Sequence, residues 1–301
     1  CSAPLRNLDP LTQIRLRRSG SVGSPSVDVE FYAIPGPFTA LTAEQVALVE
    51  RLGREPLAMC LAAQRLLISP LDAMVIGVSE PRRSERNIRP ATLLLDRALE
   101  LDGRTPFDRE RPPEHRVVGT CRHFAVLATA FLRAVDIPAR ARCGFAAYFV
   151  TPQKVDHWTV EVWSADDQRW VRIDPEYVGR DTPLEARPDD LRPGEFLTAG
   201  EGWLQIRSDR ASGDDFGVFG TENWGLGEVR GNAMRDLASV VRKVEMLPWD
   251  EWGPMQDSYE GRTDAAFDEL MDELAEAMRD EDTPTLEQIY QQLAVPESLV
   301  C

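Results

Sequence analysis

Histidine is scarce in this chain: His115, His123 and His157 are the only three. Proton transfer by an imidazole near neutral pH therefore has three candidates. Cysteine is nearly as rare. Cys1, Cys60, Cys121, Cys143 and Cys301 form an odd set without a CxxC pair, which excludes a disulfide framework or a structural zinc knot as the organising element. No apolar run reaches the roughly 18 residues that a membrane-crossing helix needs. Positive charge is in deficit, with 34 Lys and Arg against 50 Asp and Glu and a net charge of −16. That balance argues against a nucleic-acid partner, which requires a basic field, and against an anionic membrane surface. No tryptophan precedes Cys121; all seven follow it, the first being Trp158.

What is present reads as globular. Of 301 residues, 43% are apolar and 28% charged, enough for a sizeable core in one large or two ordinary domains. The cysteine usage suits a reduced, cytoplasmic protein. The chain opens on Cys1-Ser2 rather than Met. A trimmed chain is the favoured reading of that start, with the lipidated end of a processed lipoprotein as its alternative. A bridge between Cys1 and Cys301 stays open.

Residues 1–28 carry RLRRSGSVGSPS and no periodicity, and read as a flexible arm. VEFYAI (29–34) is expected as a short strand. Helices are expected over LTAEQVALVERLG, where Thr42 and Gln45 stand at capping-box spacing before Gly53, and over EPLAMCLAAQRLLIS and ATLLLDRALEL (91–101). A helix from about 120 to 135 places Phe124, Leu127, Ala128, Phe131, Leu132 and Val135 on one face. The period then falls to two, predicting strands over 139–150, 157–163 and 169–175, with SADDQ as a hairpin turn. A helix followed by an antiparallel meander is an α+β arrangement. From Tyr177 to about 230 the chain reads as loop. Helices are expected over 230–247 and 263–280, the latter with a stripe of Phe267, Leu270, Met271, Leu274 and Met278 opposite an acidic, solvated face.

Three residues in this order suggest chemistry. Cys121 follows Gly119 and Thr120 at the head of a helix, where free N–H groups and the helix dipole favour a thiolate. An ordinary thiol titrates near 8.5 and is mostly protonated at neutral pH. His157 opens a strand and Asp174 ends the next one. A hairpin closing on residues 165–168 sets His157 opposite residue 175, so that Asp174 can hold one imidazole nitrogen. A thiol, a base and an acid that orients the base are the parts of a cysteine acyl-transfer site. The thiolate would attack an acyl carbon, His157 would protonate the leaving group, and the Cys121 N–H would donate to the oxyanion. His123 lies about 200° round the helix from Cys121 and His115 in a proline-rich loop, so neither competes well. Cys60 and Cys143 read as core packing.

The blocks GTCRHFAVLATAFLRAVDIPAR, DHWTVEVW and RWVRIDPE resemble the transglutaminase-like superfamily, in a stretch of about 60–70 residues from Val117 to Tyr177. The resemblance implies a papain-like α+β core, its nucleophile helix packed on an antiparallel sheet, with Cys121 as nucleophile, His157 as base and Asp174 as orienter. It implies no cofactor and no metal at the chemical step. The tryptophan that stabilises the oxyanion in animal members, upstream of the cysteine, has no counterpart here. The chain is also too short for their sandwich and barrel domains and calcium sites. The small bacterial members are the nearer likeness.

The expected organisation is an arm at 1–28, a transglutaminase-like core with a helical N-terminal part at 29–180, and a loop-rich, helical extension at 181–301 packed on the core. Within the extension, Asn232, Arg235, Asp236, Lys243, Glu245, Trp249 and Trp252 either wall a substrate pocket or belong to a scaffold helix, the latter favoured. The expected partners are a peptide, protein or small acyl substrate and an amine acceptor. A peptidase, amidase or deamidase with the same three residues, and a non-catalytic binding module, are the rival readings.

Overall fold

A computed structural model describes residues 29–181, 184–293, 295, 296 and 299. The expected arm at 1–28, with Cys1, and the final Cys301 lie outside the described residues. A 3-10 turn over Val29–Ala33 leads to helices α1 (Ala43–Val49) and α2 (Pro56–Leu66), strand β1 (Leu67–Ile68), and helices α3 (Pro70–Val75), α4 (Glu80–Arg83) and α5 (Ala91–Leu101). Strand β2 (Val117–Val118) and helix α6 (Cys121–Ala134) precede the main strands β3 (Ala139–Ala146), β4 (Lys154–Ser164) and β5 (Arg169–Ile173). Then follow β6 (Phe196–Thr198), α7 (Ala199–Arg207), β7 (Phe216–Gly217), α8 (Leu226–Val240), α9 (Pro254–Tyr259), α10 (Ala265–Arg279) and α11 (Thr283–Leu293). The fold is α+β, with α6 packed on an antiparallel sheet.

Local chemistry accounts for most boundaries. Thr42 caps α1 in a reciprocal pair with Gln45, and the chain leaves this region through Gly53 at φ +84°, a conformation that favours glycine. The stripe on α10 is buried throughout. Two expectations fail. VEFYAI is a 3-10 turn rather than a strand, because the Tyr32 carbonyl takes the Arg133 guanidinium at 3.0 Å instead of a ladder partner. The stretch read as loop to residue 230 contains α7, where Thr198 and Glu201 form a capping box that the surrounding glycines and prolines obscured.

Helix α6 is buried all round, not on one face. Its polar side satisfies other parts of the chain: Arg133 donates to the Tyr32 and Ala139 carbonyls and to Thr39, and Arg122 to those of Arg89 and Glu245. The sheet runs β5-β4-β3-β6, with β7 added parallel to the start of β4. Alternation along β3 sends Ala139, Ala141 and Cys143 into packing with α6 and its neighbours. Arg140 and Arg142 go to the opposite face, where Arg142 meets Asp236 of α8 at 2.8 Å. The sheet is thus covered on both sides.

That second face carries a buried ion cluster. Glu161, 2% exposed, accepts from Arg140 at 2.6 Å, Arg142 at 2.7 Å and Arg172 at 2.7 Å. The burial of Glu161 works against its ionisation, but the three guanidiniums overcome it and hold the carboxyl well below its usual range. Removing one partner of such a cluster leaves uncompensated buried charge. Glu161→Gln is therefore expected to lower stability by about 3–5 kcal/mol, read from the urea midpoint. An unchanged midpoint would show that the arginines find equivalent partners without it.

Candidate active site

The start of α6 is built by a close approach that only glycine permits. A Cβ on Gly119 would lie 2.8 Å from the His123 Cβ. His123 turns back to accept the Thr120 N–H on Nδ1 at 3.0 Å, and Nε2 meets the Ile88 carbonyl at 3.0 Å. Burial and the adjacent Arg122 pull its pKa down to about 3, so this imidazole is neutral and structural. Cys121 emerges as the first helical residue, partly exposed, with its N–H among those the helix leaves unpaired.

Strand β4 supplies the imidazole. His157 pairs with Gly144 of β3 on one side. On the other edge β5 covers residues 160–164 and β7 residues 154–155, leaving His157 between them. Asp174 is the first residue past β5, and its Oδ2 lies 3.0 Å from the His157 Nε2. Nδ1 is the nitrogen left free of Asp174, and an imidazole nitrogen lies within 4.8 Å of the Cys121 sulfur. Asp174 is fully buried and heavily used: Tyr148 donates to Oδ2 at 2.6 Å, and the N–H groups of Glu176 and Tyr177 donate to Oδ1 at 2.9 and 3.2 Å. The rings of Phe149 and Tyr177 pack on His157 at 5.0 and 6.2 Å.

The observed register differs by one from the expected hairpin. Val160 pairs with Ile173 and Glu161 with Arg172, which carries His157 level with Glu176 rather than residue 175. Glu176 accordingly enters the site: Cys121 Sγ, a His157 nitrogen and a Glu176 oxygen lie within 4.8 Å of one another. The sequence shows this glutamate only as part of IDPEY, and a one-residue shift was enough to conceal it. Tyr148 was likewise missed, since it lies past the end of β3.

Residues 95–175 match the model of the transglutaminase-like superfamily. This segment is therefore similar to a transglutaminase-like core. No curated protein and no solved structure matches the chain. The matched segment holds Cys121, His157 and Asp174 and stops one residue short of Glu176. Among the described residues no helix is long and apolar enough to cross a membrane.

Electrostatics around the transglutaminase-like centre oppose one another. Burial pushes the Cys121 thiol up, as do the nearby Asp156 and Glu176 carboxylates, while the hydrogen bond and charge of His157 pull it down. The net direction is upward, against the lowering expected from the helix start, because burial outweighs the pull of His157. For His157, burial acts downward, but Asp174 and Cys121 overcome it and leave the imidazole well above its usual value. Cys60 and Cys143 are buried; burial takes Cys60 to about 12 and Cys143 well above the ordinary thiol. His115 is half-exposed, 3.8 Å from Asp102.

The 230–255 segment divides between the two roles considered for it. Asp236 ties α8 to β3 through Arg142 and the Cys143 N–H, which is scaffold. Arg235 and Trp249, with Asp156, Glu228, Glu251 and Tyr259, line a cavity of about 410 Å³, and Asn232 holds Asp156 at 2.7 Å. With His157 removed, its downward pull on Cys121 is lost while burial, Asp156 and Glu176 still raise the thiol. In His157→Ala the pH of half-maximal iodoacetamide labelling at the Cys121 peptide is expected to move upward from the wild-type value. Superimposed profiles would mean that His157 exerts no pull on the thiol.

Proposed function

We propose that this transglutaminase-like chain is a thiol enzyme that transfers an acyl group to an amine through a thioester on Cys121. The observation that carries the reading is a partly exposed cysteine within 4.8 Å of an imidazole that is held on Nε2 by a buried carboxylate. In the first half-reaction the Cys121 sulfur attacks the acyl carbon. The proton on His157 goes to the leaving amine or alcohol, and the C–N or C–O bond breaks. In the second, His157 takes a proton from the incoming amine as its nitrogen attacks the thioester, and the thiolate leaves. The Cys121 N–H donates to the oxyanion in both steps. Asp174 keeps the imidazole in one tautomer and orientation.

The acid-lined cavity supports an amine as acceptor. Asp156, Glu228 and Glu251 face a single Arg235 within it. Burial raises Asp156, and raises Glu228 to about 7; a cation there would restore their ionisation. On this reading residues 29–180 are the catalytic core, and 181–301 form an extension that walls the amine side.

The test is product analysis with a panel of Gln-containing peptides and small acyl esters, with and without a primary amine. Amide product that rises with amine is the expected result. Hydrolysed product alone, at high amine, would replace transfer by a peptidase, amidase or deamidase reaction. Cys121→Ala is expected to abolish turnover while remaining folded, and Asp174→Asn to reduce kcat/KM by about 10²–10⁴. Full activity in either variant would remove the three-residue mechanism.

A further inference from the structure

Glu176 has no part in the chemistry just described, yet its carboxylate sits against both reacting groups. It is 7% exposed. Among the described residues its backbone N–H is engaged, by Asp174, while no hydrogen bond reaches its carboxylate oxygens. A cysteine sulfur, an imidazole nitrogen and a carboxyl oxygen converge within 4.8 Å. The second imidazole nitrogen is held by Asp174 at 3.0 Å, the outer-shell arrangement that orients a metal-binding histidine.

We propose that Cys121, His157 and Glu176 form a zinc site whose occupancy caps the thiol and holds the enzyme inactive. A mixed sulfur, nitrogen and oxygen donor set suits zinc, and three protein ligands leave the fourth tetrahedral position to water. Tetrahedral bonds of about 2.0–2.3 Å put donor atoms roughly 3.3–3.6 Å apart, so the three side chains need close by only about 1 Å. Binding is a proton exchange. Zinc takes the Cys121 thiolate, the neutral His157 Nδ1 and the ionised Glu176, and the proton shared by thiol and imidazole leaves to solvent together with any on the glutamate. The bound sulfur then shares its negative charge with the metal and is a weaker nucleophile, and the imidazole has no nitrogen free to move a proton. The functional consequence, inhibition, rests on the thiol-enzyme reading; the binding itself does not.

The experiment uses the full chain, zinc-free buffer and two probes. Zinc is titrated against iodoacetamide labelling at the Cys121 peptide, and cobalt against the near-ultraviolet thiolate-to-metal absorption. Zinc is expected to suppress labelling, a chelator to restore it, and cobalt to give a band that Cys121→Ala lacks. Glu176→Gln, which preserves shape, is expected to weaken zinc at least 10-fold, each variant being referred to its own metal-free labelling rate. Labelling unaffected by zinc, a cobalt band that survives in Cys121→Ala, or an unchanged zinc titration in Glu176→Gln would each overturn the site. A chain with no acyl-transfer activity that still shows the band keeps the zinc site and loses the enzyme reading. An active chain labelled equally fast with and without zinc does the reverse.

Discussion

The Asp174 carboxylate organises more of this molecule than its size suggests. Among the described residues no Lys or Arg bonds to it, and its charge is balanced by donors: one imidazole, one phenol and two backbone N–H groups. Burial opposes ionisation, and these contacts nonetheless leave the carboxyl below its usual value, His157 contributing most. The donors come from three places. Tyr148 follows β3, His157 is on β4, and Glu176 and Tyr177 follow β5. A single acceptor therefore ties the ends of three strands together, in the gap that β5 and β7 leave along the β4 edge. It also fixes which imidazole nitrogen faces Cys121, and it closes the turn that delivers Glu176.

A second constraint comes from the many arginines inside an acidic protein. Arg122, Arg133, Arg140, Arg142 and Arg235 are all buried. Arg122 and Arg133 bind mainly carbonyls, and burial lowers both to about 10. Arg140 and Arg142 share Glu161, and the carboxylates around them overcome burial and raise them. Carbonyl-bound arginines knit loops to α6, while carboxylate-bound Arg142 docks α8 on the sheet through Asp236 and Arg140 reaches Glu281 past the end of α10. Both devices use the planar, multiply donating guanidinium, which lysine could not replace with the same geometry.

The parts of the fold that could be read directly were those governed by local chemistry. The helix starting at Cys121, the three main strands and the stripe of α10 follow from periodicity and capping alone, and the resemblance carried by GTC, DHW and IDP lies within the segment that matches the family. What escaped depended on distant partners. Tyr32 forms a 3-10 turn because an arginine a hundred positions away takes its carbonyl. Helix α7 hides in a glycine-rich stretch because its burial comes from α10 and α8. Glu176 was hidden by a register difference of one residue, which local patterning cannot resolve: the alternation that assigns faces has a period of two, but the turn decides which residue stands opposite which.

The same register carries a chemical consequence. A thiol flanked by Asp156 and Glu176 is an unfavourable place to form a thiolate, and burial adds to the penalty. Were the centre arranged for a standing thiolate, those carboxylates would be misplaced. Their positions instead suit a site in which negative charge on sulfur exists only with a positive charge beside it, whether that charge is the His157 imidazolium, an approaching ammonium group or a divalent ion. Asp156 on the cavity side and Glu176 on the Asp174 side would then select for cations by the same electrostatic logic. The nucleophile is made conditional on its company, and this follows from two carboxylates placed by the ends of β4 and β5 rather than from the three residues that carry the bond chemistry.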